Sequence, residues 1–558
     1  MLITVDGKTV SLEAGGTVSD AIRLAGFNAD TARERPLAAR IGGEIFNLNY
    51  TLKRDCELNL LRFADEEGRR VYERTLQFVF IMAVRKCLPD AEMLFKYSAG
   101  QGIFITIKKE KPLDEADIEA VSDEMKAITE ADLVFRRERK DVHEAIEFFK
   151  KDGQLDKADL LKWRIHNYFD VYSCPEYKGC SGYMDYFYGE MAPSTGYVKV
   201  FALHRVEKDS IVLLLPDKND PSVPAEYENS PKLLNVFAQS DRWGSLMTCA
   251  TVNELNARVK NGSIRELIRV NEALHEKNYG AVADKIIEKK VKAVMLAGPS
   301  SSGKTTSAHR IATQLRALGA DPVLISLDDY YIDRDKIPKD ENGKMDLEDI
   351  NTLDISRFNS DLKILLSGQE AEIPVFNFTT GKREETGTLL KLGSDQPLII
   401  EGIHALNPLM LGKDIDPSSV MRIYVSALTT LNLDNHNRIR TTDLRLLRRL
   451  VRDYKTRGAS MEHTLGMWES VRRGEEKWIF PYQENADIII NTTLLYEAAV
   501  LKKYVYPLLD AVPPESRYYA AARAIVKFLN YFLEADVEDE IPPTSIIREF
   551  IGGNTFYL

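Results

Sequence analysis

The chain has 558 residues, more than one hydrophobic core usually organises, so we expect about three or four domains. Hydrophobic residues make up 44% and charged residues 28%, which is typical of a soluble globular protein. The formal net charge of −11 disfavours nonspecific binding of nucleic acid by the whole surface.

The sequence predicts a cytoplasmic protein with reduced thiols. Its first residues, MLITVDGKTV, lack a basic segment followed by a long apolar run, and no uncharged apolar stretch approaches the roughly 18 residues of a membrane span. An odd, scattered set of cysteines indicates a reducing compartment. The alternative is a zinc site at Cys174 and Cys180, the two cysteines nearest in sequence, although no second pair of ligands is evident. The cysteines are Cys56, Cys87, Cys174, Cys180 and Cys249.

Residues 1–63 predict a small ββαββ domain. Two alternating runs flank Asp6-Gly7, the pattern of a tight β-hairpin. A capped helix follows from Thr17, and residues 38–62 return to short strands. This order resembles the TGS domain, the β-grasp module of threonyl-tRNA synthetases and some GTPases.

Residues 64–235 predict a mixed α+β domain. Residues 71–84 read as an apolar helix, and the run from Gly102 as a strand. After a TGS domain this arrangement resembles the second additional domain of threonyl-tRNA synthetase. That family carries an HxxxH editing pair on the corresponding helix. The helix here contains no histidine, so the resemblance implies that editing chemistry is lost.

An aromatic-rich stretch in this region has two interpretations. It stacks on RNA bases, as in proteins that bind single strands, or it packs in a core or an interface. The first would give the N-terminal half a contact with RNA or nucleotide. Residues 236–289 beyond it predict a helical connector. The aromatic residues are Tyr183, Tyr186, Phe187, Tyr188 and Tyr197.

A phosphate-binding loop opens the predicted catalytic domain, residues 290–510. An apolar run, residues 291–297, leads into G-P-S-S-S-G-K-T and then a helical stretch from Thr306. This matches G-x-x-x-x-G-K-[ST] between strand and helix. Glycines allow close backbone approach, and successive amides at a helix N-terminus bind the anion. The predicted nucleotide-binding residues are Gly298, Pro299, Ser300, Ser301, Ser302, Gly303, Lys304, Thr305 and Thr306.

Carboxylates follow two further buried strands. Residues 323–327 end in Asp328-Asp329, and residues 397–400 end in Glu401. Carboxyl ends of parallel strands face the ligand crevice. We expect Asp328 to deprotonate an attacking hydroxyl, and Asp329 to act more as a cap. Thr305, Asp328 and Glu401 are the candidate Mg²⁺ ligands.

Residues 422–425 and 486–491 predict two more strands, so the region reads as a doubly wound parallel α/β domain. Between these strands, four arginines at i, i+3, i+4 and i+7 share one helix face. Such a row repels itself, so it predicts either a lid that closes on transferred phosphate or a solvated basic face. Residues 511–558 predict a C-terminal helical segment and tail. The arginines are Arg445, Arg448, Arg449 and Arg452.

Five segments in this order resemble the uridine kinase/phosphoribulokinase family. They are the phosphate loop, S-L-D-D-Y-Y at 326–331, I-P-V-F-N-F at 373–378, I-E-G-I at 400–403 and R-L-L-R-R-L-V-R-D at 445–453.

The resemblance implies a Mg²⁺- and ATP-dependent kinase of a nucleoside, acting on the 5′-hydroxyl. It implies catalytic roles for Asp328, Lys304, Arg449 and Arg452. It implies acceptor binding by Tyr331, Phe376, Arg383 and Arg457.

Three positions depart from the family pattern. Gly381 stands where a base-contacting histidine is usual, Ala459 where a lid arginine is usual, and Met467 near a lid glutamine. A pocket without polar contacts discriminates less between bases. The alternatives are therefore another nucleoside or a sugar phosphate as acceptor, GTP as donor, or an ATP-gated regulator that senses RNA or nucleotide. The sequence leaves open whether the chain forms a homo-oligomer.

Overall fold

The computed structural model describes residues 1–558 except 28, 30, 179–181, 188, 338, 340–342, 344, 385, 557 and 558. The first region is a five-stranded sheet packed on one helix, with strand order β2-β1-β5-β3-β4. The predicted hairpin is confirmed, with Asp6 and Gly7 at φ 42° and 84°. Its elements are β1 (Leu2–Val5), β2 (Lys8–Ser11), α1 (Val18–Ala25), β3 (Ala38–Ile41), β4 (Glu44–Phe46) and β5 (Cys56–Leu61).

Polar capping fixes where the helix of this sheet begins. Thr17 accepts from the Asp20 backbone N–H, and the Asp20 carboxylate accepts from the Thr17 N–H. This reciprocal pair satisfies two N–H groups that a helix start leaves without partners. β1 runs parallel to β5 and antiparallel to β2. The predicted start of two strands and a helix is confirmed, but three strands follow the helix where the sequence predicted two.

The second region contains two antiparallel sheets, in the orders β11-β12-β7-β6 and β10-β9-β8. The predicted apolar helix and the strand from Gly102 are both confirmed as α2 and β7. The elements are α2 (Glu66–Cys87), β6 (Glu92–Ala99), β7 (Gly102–Lys108), α3 (Glu115–Glu130), β8 (Arg136–Asp141), α4 (Val142–Lys151), α5 (Leu155–Leu161), β9 (Tyr168–Cys174), β10 (Tyr183–Asp185), β11 (Ala202–Glu207) and β12 (Ser210–Leu214).

The aromatic stretch favours the core interpretation. Tyr183, Tyr186 and Phe187 are buried, so these rings are not accessible to a nucleic-acid base. Tyr188 and Cys180 lie outside the described residues. Among the residues that are described, no three His, Cys, Asp or Glu side chains group as metal ligands.

Helices connect this region to a parallel sheet in the order β14-β19-β13-β20-β21, which confirms the predicted doubly wound α/β architecture. The connecting helices are α6 (Pro231–Leu246), α7 (Val252–Asn261) and α8 (Ile264–Glu288). The remaining elements are β13 (Ala293–Ala297), α9 (Lys304–Ala317), β14 (Val323–Ser326), α10 (Ile355–Leu366), β15 (Glu370–Ile373), β16 (Phe376–Asn377), β17 (Lys382–Arg383), β18 (Thr388–Lys391), β19 (Leu398–Glu401), β20 (Val420–Ser426), α11 (Thr441–Arg457), α12 (Met461–Trp478), β21 (Ile488–Asn491), α13 (Glu497–Asp510), α14 (Tyr519–Leu529) and α15 (Arg548–Ile551).

The hydrophobic core crosses the predicted boundaries at 235 and 289. One cluster joins Phe149 and Tyr186 of the second region to Leu296 of β13 and to Phe550 near the C-terminus. Burial of apolar side chains therefore holds the second region and the parallel sheet together. Within the part of the chain that is described, no helix has the length and apolarity to cross a membrane.

A chain segment before α11, residues 432–440, forms the contact between α2, β6 and the parallel-sheet region. The Phe95 N–H donates to the Asn435 carbonyl at 2.8 Å, and Asn432 Nδ2 donates to the Phe95 carbonyl at 2.7 Å. Glu73 of α2 pairs with Arg438 and Arg440 at 2.7 and 2.8 Å. We name residues 432–440 the docking segment.

Replacing Glu73 by alanine should destabilise the protein by about 3 kcal/mol, because Arg438 and Arg440 are then left as uncompensated, largely buried charges. The measurement is the urea-unfolding midpoint. Glu67→Ala on the same helix is the matched control, since Glu67 pairs with Arg40 at 2.9 Å at a much more exposed site and should lose about 1 kcal/mol or less. Equal midpoints for the two variants would contradict this account.

Candidate functional site

The phosphate loop joins β13 to α9 at the carboxyl edge of the parallel sheet. A Cβ on Gly298 would lie 2.1 Å from the Val425 carbonyl oxygen, so only glycine fits there. Ser301 and Gly303 have φ of 59° and 86°, which turns the chain back towards the helix. No side chain caps the N-terminus of α9, so its first amides are free to bind an anion.

Two buried arginines of α11 hold this loop from behind. Arg445 Nη1 donates to the Ser300 carbonyl at 3.1 Å, and Arg448 Nη1 to the Ser301 carbonyl at 3.4 Å. Thr492 Oγ1 donates to the next carbonyl, that of Ser302, at 2.6 Å. These bonds hold the loop backbone in place. The Ser300 N–H donates to Glu475 Oε1 at 3.2 Å on the same side, so the amides that remain for an anion are those at the uncapped start of α9.

The sequence predicted that all four arginines of this row close on transferred phosphate. This prediction is wrong for Arg445 and Arg448. Their side chains are 1% and 0% exposed. Arg445 pairs with Glu475, with Nη2 to Oε2 at 2.7 Å, and Arg448 Nε donates to Glu497 at 2.6 Å. Glu475 and Glu497 thus supply the negative charge that was expected from phosphate. Such partners are needed because buried arginines without a counter-charge would destabilise the fold.

Arg449 and Arg452, together with Arg457 at the end of the same helix, contact one carboxylate. Arg449 Nη1 donates to Ser300 Oγ at 2.8 Å, and its Nε lies 3.2 Å from Asp453. Arg452 and Arg457 lie 3.1 and 3.5 Å from the same carboxylate. Three cations thus share one aspartate, which leaves a net positive charge beside the loop.

Asp328, Glu401 and Lys304 lie close enough for their charges to act on one another. Burial raises the pKa of Asp328, while Lys304, Arg457 and Arg452 oppose that rise. Burial, and next the Asp328 charge, raise the pKa of Glu401 to about 7, with Lys304 opposing. The structure therefore brings together the three side chains that the sequence singled out, and the two carboxylates repel each other without a cation between them.

The donor atoms here suit magnesium and a polyphosphate. Thr305 Oγ1 donates to Glu401 Oε1 at 3.3 Å, and Ser326 Oγ does so at 3.2 Å. Two carboxylates and a hydroxyl, all oxygen, match a cation that keeps waters and takes phosphate oxygens. Ser301 Oγ and Ser302 Oγ are buried without a hydrogen-bond partner. These orphaned hydroxyls beside the uncapped helix fit a loop made for a phosphate.

Glu348 is a site residue that the sequence did not reveal. Burial raises its pKa to about 7; Arg449 lowers it, Glu475 raises it, and Lys304 and Asp328 act more weakly. Glu348 therefore lies near the charged groups of the site, including Arg449, Lys304 and Asp328. Nothing in the polar segment around it matches a motif, so only the fold could place it there.

Three aromatic rings contact one another beside the turn that carries Asp328. Tyr331 lies 5.6 Å from Phe376 and 6.3 Å from Phe378, centroid to centroid. Phe376 is buried, whereas Phe378 is 56% exposed and was not predicted as a site residue. Asp329 accepts from the Phe376 N–H at 3.4 Å, which supports the expected structural role for this aspartate.

The Arg383 guanidinium donates hydrogen bonds to other groups of the protein. Its Nε and Nη2 donate to the Tyr331 and Tyr330 carbonyls, each at 3.0 Å, and its Nη1 donates to Asp354 at 3.0 Å. These contacts fix the turn that carries Asp328. Direct contact of Arg383 with an acceptor stays a prediction.

The departures from the family pattern have structural counterparts. Gly381 has φ of 70°, and a Cβ there would lie 2.9 Å from Arg334 Nε, so the turn itself requires a residue without a side chain. Met467 lines a cavity of about 340 Å³ with His463 and Tyr518. Ala459 follows Gly458, which ends α11 in the left-handed region.

Thr306 is engaged by the C-terminal part of the chain. It is fully buried, and its hydroxyl donates to Glu549 Oε2 at 2.6 Å. The predicted nucleotide contact of this residue is thus already occupied by a carboxylate.

Comparison with known proteins agrees with both parts of the sequence interpretation. The model of the phosphoribulokinase/uridine kinase family matches residues 293–495. A uridine kinase from Staphylococcus aureus is 32% identical over 196 residues, covering 35% of this chain and 84% of that protein. The solved structure of a possible uridine kinase from Bacillus stearothermophilus is 20% identical with a TM-score of 0.21, covering 24% of this chain and 70% of that one.

The N-terminal half matches threonine–tRNA ligases. The enzyme from Desulforamulus reducens is 32% identical over 198 residues, which is 36% of this chain and 30% of the ligase. That from Acetivibrio thermocellus is 31% identical over 206 residues. The chain therefore spans less than a third of the length of these ligases.

Replacing Glu348 by glutamine should change how stability depends on pH. The folded pKa of about 7 lies above the ordinary 4.5, so the folded state binds the proton more tightly than the unfolded chain. Wild-type stability therefore falls as pH rises from about 4.5 to about 7 relative to the variant. Melting temperatures at pH 5 and pH 8 test this. A variant less stable than wild type at pH 8, or a pH-independent difference, would contradict it.

Proposed function

Because the chain belongs to the phosphoribulokinase/uridine kinase family, we propose that it transfers the γ-phosphate of ATP to the 5′-hydroxyl of a nucleoside of the uridine or cytidine type. Membership makes the chain a P-loop kinase. The observation that carries phosphoryl transfer is the grouping of Lys304, Asp328 and Glu401 beside the loop, since Lys304 lowers the pKa of both carboxyl groups and Asp328 raises the pKa of Glu401.

The loop binds the donor. Amides at the start of α9 and the Lys304 ammonium hold the β- and γ-phosphates. Mg²⁺ bound with the nucleotide would neutralise phosphate oxygens, and Thr305, Asp328 and Glu401 would hold it. A cation there also removes the repulsion that raises the pKa of Glu401.

Asp328 accepts the proton of the attacking hydroxyl. As the new oxygen–phosphorus bond forms, the bond between the γ-phosphorus and its bridging oxygen breaks, and ADP leaves with that electron pair. Lys304, Arg449 and Arg452 stabilise the charge that develops on the phosphoryl oxygens. Arg457, 58% exposed, is the arginine free to approach the acceptor.

The acceptor lies against Tyr331, Phe376 and Phe378, whose rings stack on a planar base. Gly381, Ala459 and Met467 lack the polar groups that read a particular base, which favours broad base specificity. Another nucleoside, or a sugar phosphate, is the alternative acceptor. GTP is the alternative donor.

A second candidate function is regulatory. Ion pairs between Glu73 and the docking segment tie the ligase-like half to the segment that leads into α11, and α11 holds the phosphate loop. A ligand of the N-terminal half, such as RNA or a nucleotide, would then alter phosphoryl transfer. Transfer rates that do not change when RNA is added would count against this candidate.

The test is turnover by the full chain with Mg·ATP or Mg·GTP and a panel of nucleosides and sugar phosphates. Asp328→Asn should lower kcat by at least about 100-fold, since it removes the proton acceptor. Lys304→Ala should also abolish product, because it loses the phosphate contact. Removing Mg²⁺ with EDTA should stop transfer by every variant.

Asp329→Asn is the matched control, because it changes the neighbouring aspartate in the same way, and Asp329 accepts a hydrogen bond from the Phe376 amide. Its loss of kcat should be far smaller than that of Asp328→Asn. Turnover that survives Asp328→Asn unchanged would remove Asp328 from the base role. Product with none of the acceptors would overturn the nucleoside proposal.

A further inference from the structure

The C-terminal segment, residues 541–556, covers the face of α9 that leads away from the phosphate loop. Its contacts fall on Gly303, Thr306 and His309, which are spaced three apart and so share one helix face. A donor held by the loop continues from its β-phosphate to an α-phosphate and a nucleoside. Thr306 marks that direction, because it directly follows the loop and is a predicted nucleotide contact.

Three contacts make up this cover. A Cβ on Gly303 would lie 2.8 Å from Ile546 Cγ2. Thr306 Oγ1 donates to Glu549 Oε2 at 2.6 Å. The rings of His309 and Phe556 stack with centroids 5.2 Å apart and 13° between their planes. An apolar side chain, a carboxylate and an aromatic ring thus follow one another along the face.

The segment is held at both of its ends. Arg548 Nη2 donates to the Glu538 and Ile541 carbonyls at 2.6 and 2.9 Å. Lys455 Nζ, at the end of α11, donates to the Ile551 carbonyl at 2.5 Å. Upstream, Glu540 pairs with Arg269 at 2.5 Å. The cover is an ordered part of the fold with an anchor before it.

The negative charge of Glu549 disfavours binding of a nucleoside triphosphate at the loop. Its carboxylate takes the Thr306 hydroxyl, and it adds to the negative charge felt by Glu401. A triphosphate bound at the loop would bring its α-phosphate beside this carboxylate, and like charges at such separations repel. The donor and the segment therefore compete for the same hydroxyl and the same face.

We propose that the Glu549 carboxylate and the Phe556 ring form the movable part of an autoinhibitory cover, which a nucleoside triphosphate must displace from α9 in order to bind the phosphate loop, while Ile546, Ile547 and Phe550 stay in the core. The ion pairs of Asp539 and Glu540 with Arg265 and Arg269 lie before this part and anchor the segment that carries it. This inference rests on the proposed kinase function, because it presumes a triphosphate donor.

Binding of Mg·ATP to the full chain, measured by calorimetry without acceptor, tests the proposal. Glu549→Gln keeps a hydrogen-bond acceptor for Thr306 but removes the charge, and should bind about three- to tenfold more tightly than wild type. Phe556→Ala removes the ring stacked on His309 and should also bind more tightly. Glu515→Gln, an exposed carboxylate in the loop before α14, should bind like wild type.

Hydrogen exchange gives a second, independent readout. Mg·ATP should speed exchange of the amides of residues 552–556, because this stretch loses its support when the Phe556 ring leaves His309. Equal or weaker binding by Glu549→Gln, or slower exchange of these amides with ATP, would overturn the proposal and make the segment a fixed wall of the donor site.

Lys304→Ala distinguishes a failure of the proposed kinase function from a failure of the proposed inhibitory role. If wild type binds Mg·ATP, Lys304→Ala does not, and Glu549→Gln matches wild type, the kinase function stands and the inhibitory role falls. If wild type and Glu549→Gln both fail to bind Mg·ATP or Mg·GTP, the proposed function fails, and the inference falls with it.

Discussion

The site depends on two buried guanidinium groups bonded to the carbonyl oxygens of the phosphate loop. Arg445 and Arg448 reach Ser300 and Ser301 from behind, and their own charges are neutralised by Glu475 and Glu497. These bonds fix the shape of the loop before an anion binds. The uncapped amides at the start of α9 therefore need no reorganisation of the loop when the anion arrives, which is the condition for electrostatic catalysis.

This arrangement makes α11 the element through which other parts of the chain reach the loop. At its start, the docking segment joins it to α2 through Glu73. At its end, Lys455 joins it to the C-terminal segment. Both the ligase-like half and the C-terminus therefore contact the same helix, and a displacement of either would be transmitted to the carbonyls that shape the loop.

Local signals predicted the parallel sheet, the phosphate loop and its three charged partners, because each follows from strand, turn and helix chemistry within a few residues. The partners of the arginine row could not be predicted. Glu475 and Glu497 lie 30 and 49 positions from their arginines, and only packing pairs them. Glu348 and Glu549 reach the site for the same reason. The domain boundaries remain predictions, since one hydrophobic core crosses two of them.

The most direct test of this account is the affinity of Arg448→Lys for Mg·ATP, measured by calorimetry on protein whose unfolding midpoint is known. Lysine keeps the charge beside Glu497 but lacks the planar fork that reaches both Ser301 and Thr492. The account predicts a folded variant whose affinity falls by at least about tenfold, equivalent to about 1.4 kcal/mol. A folded variant with wild-type affinity would contradict it.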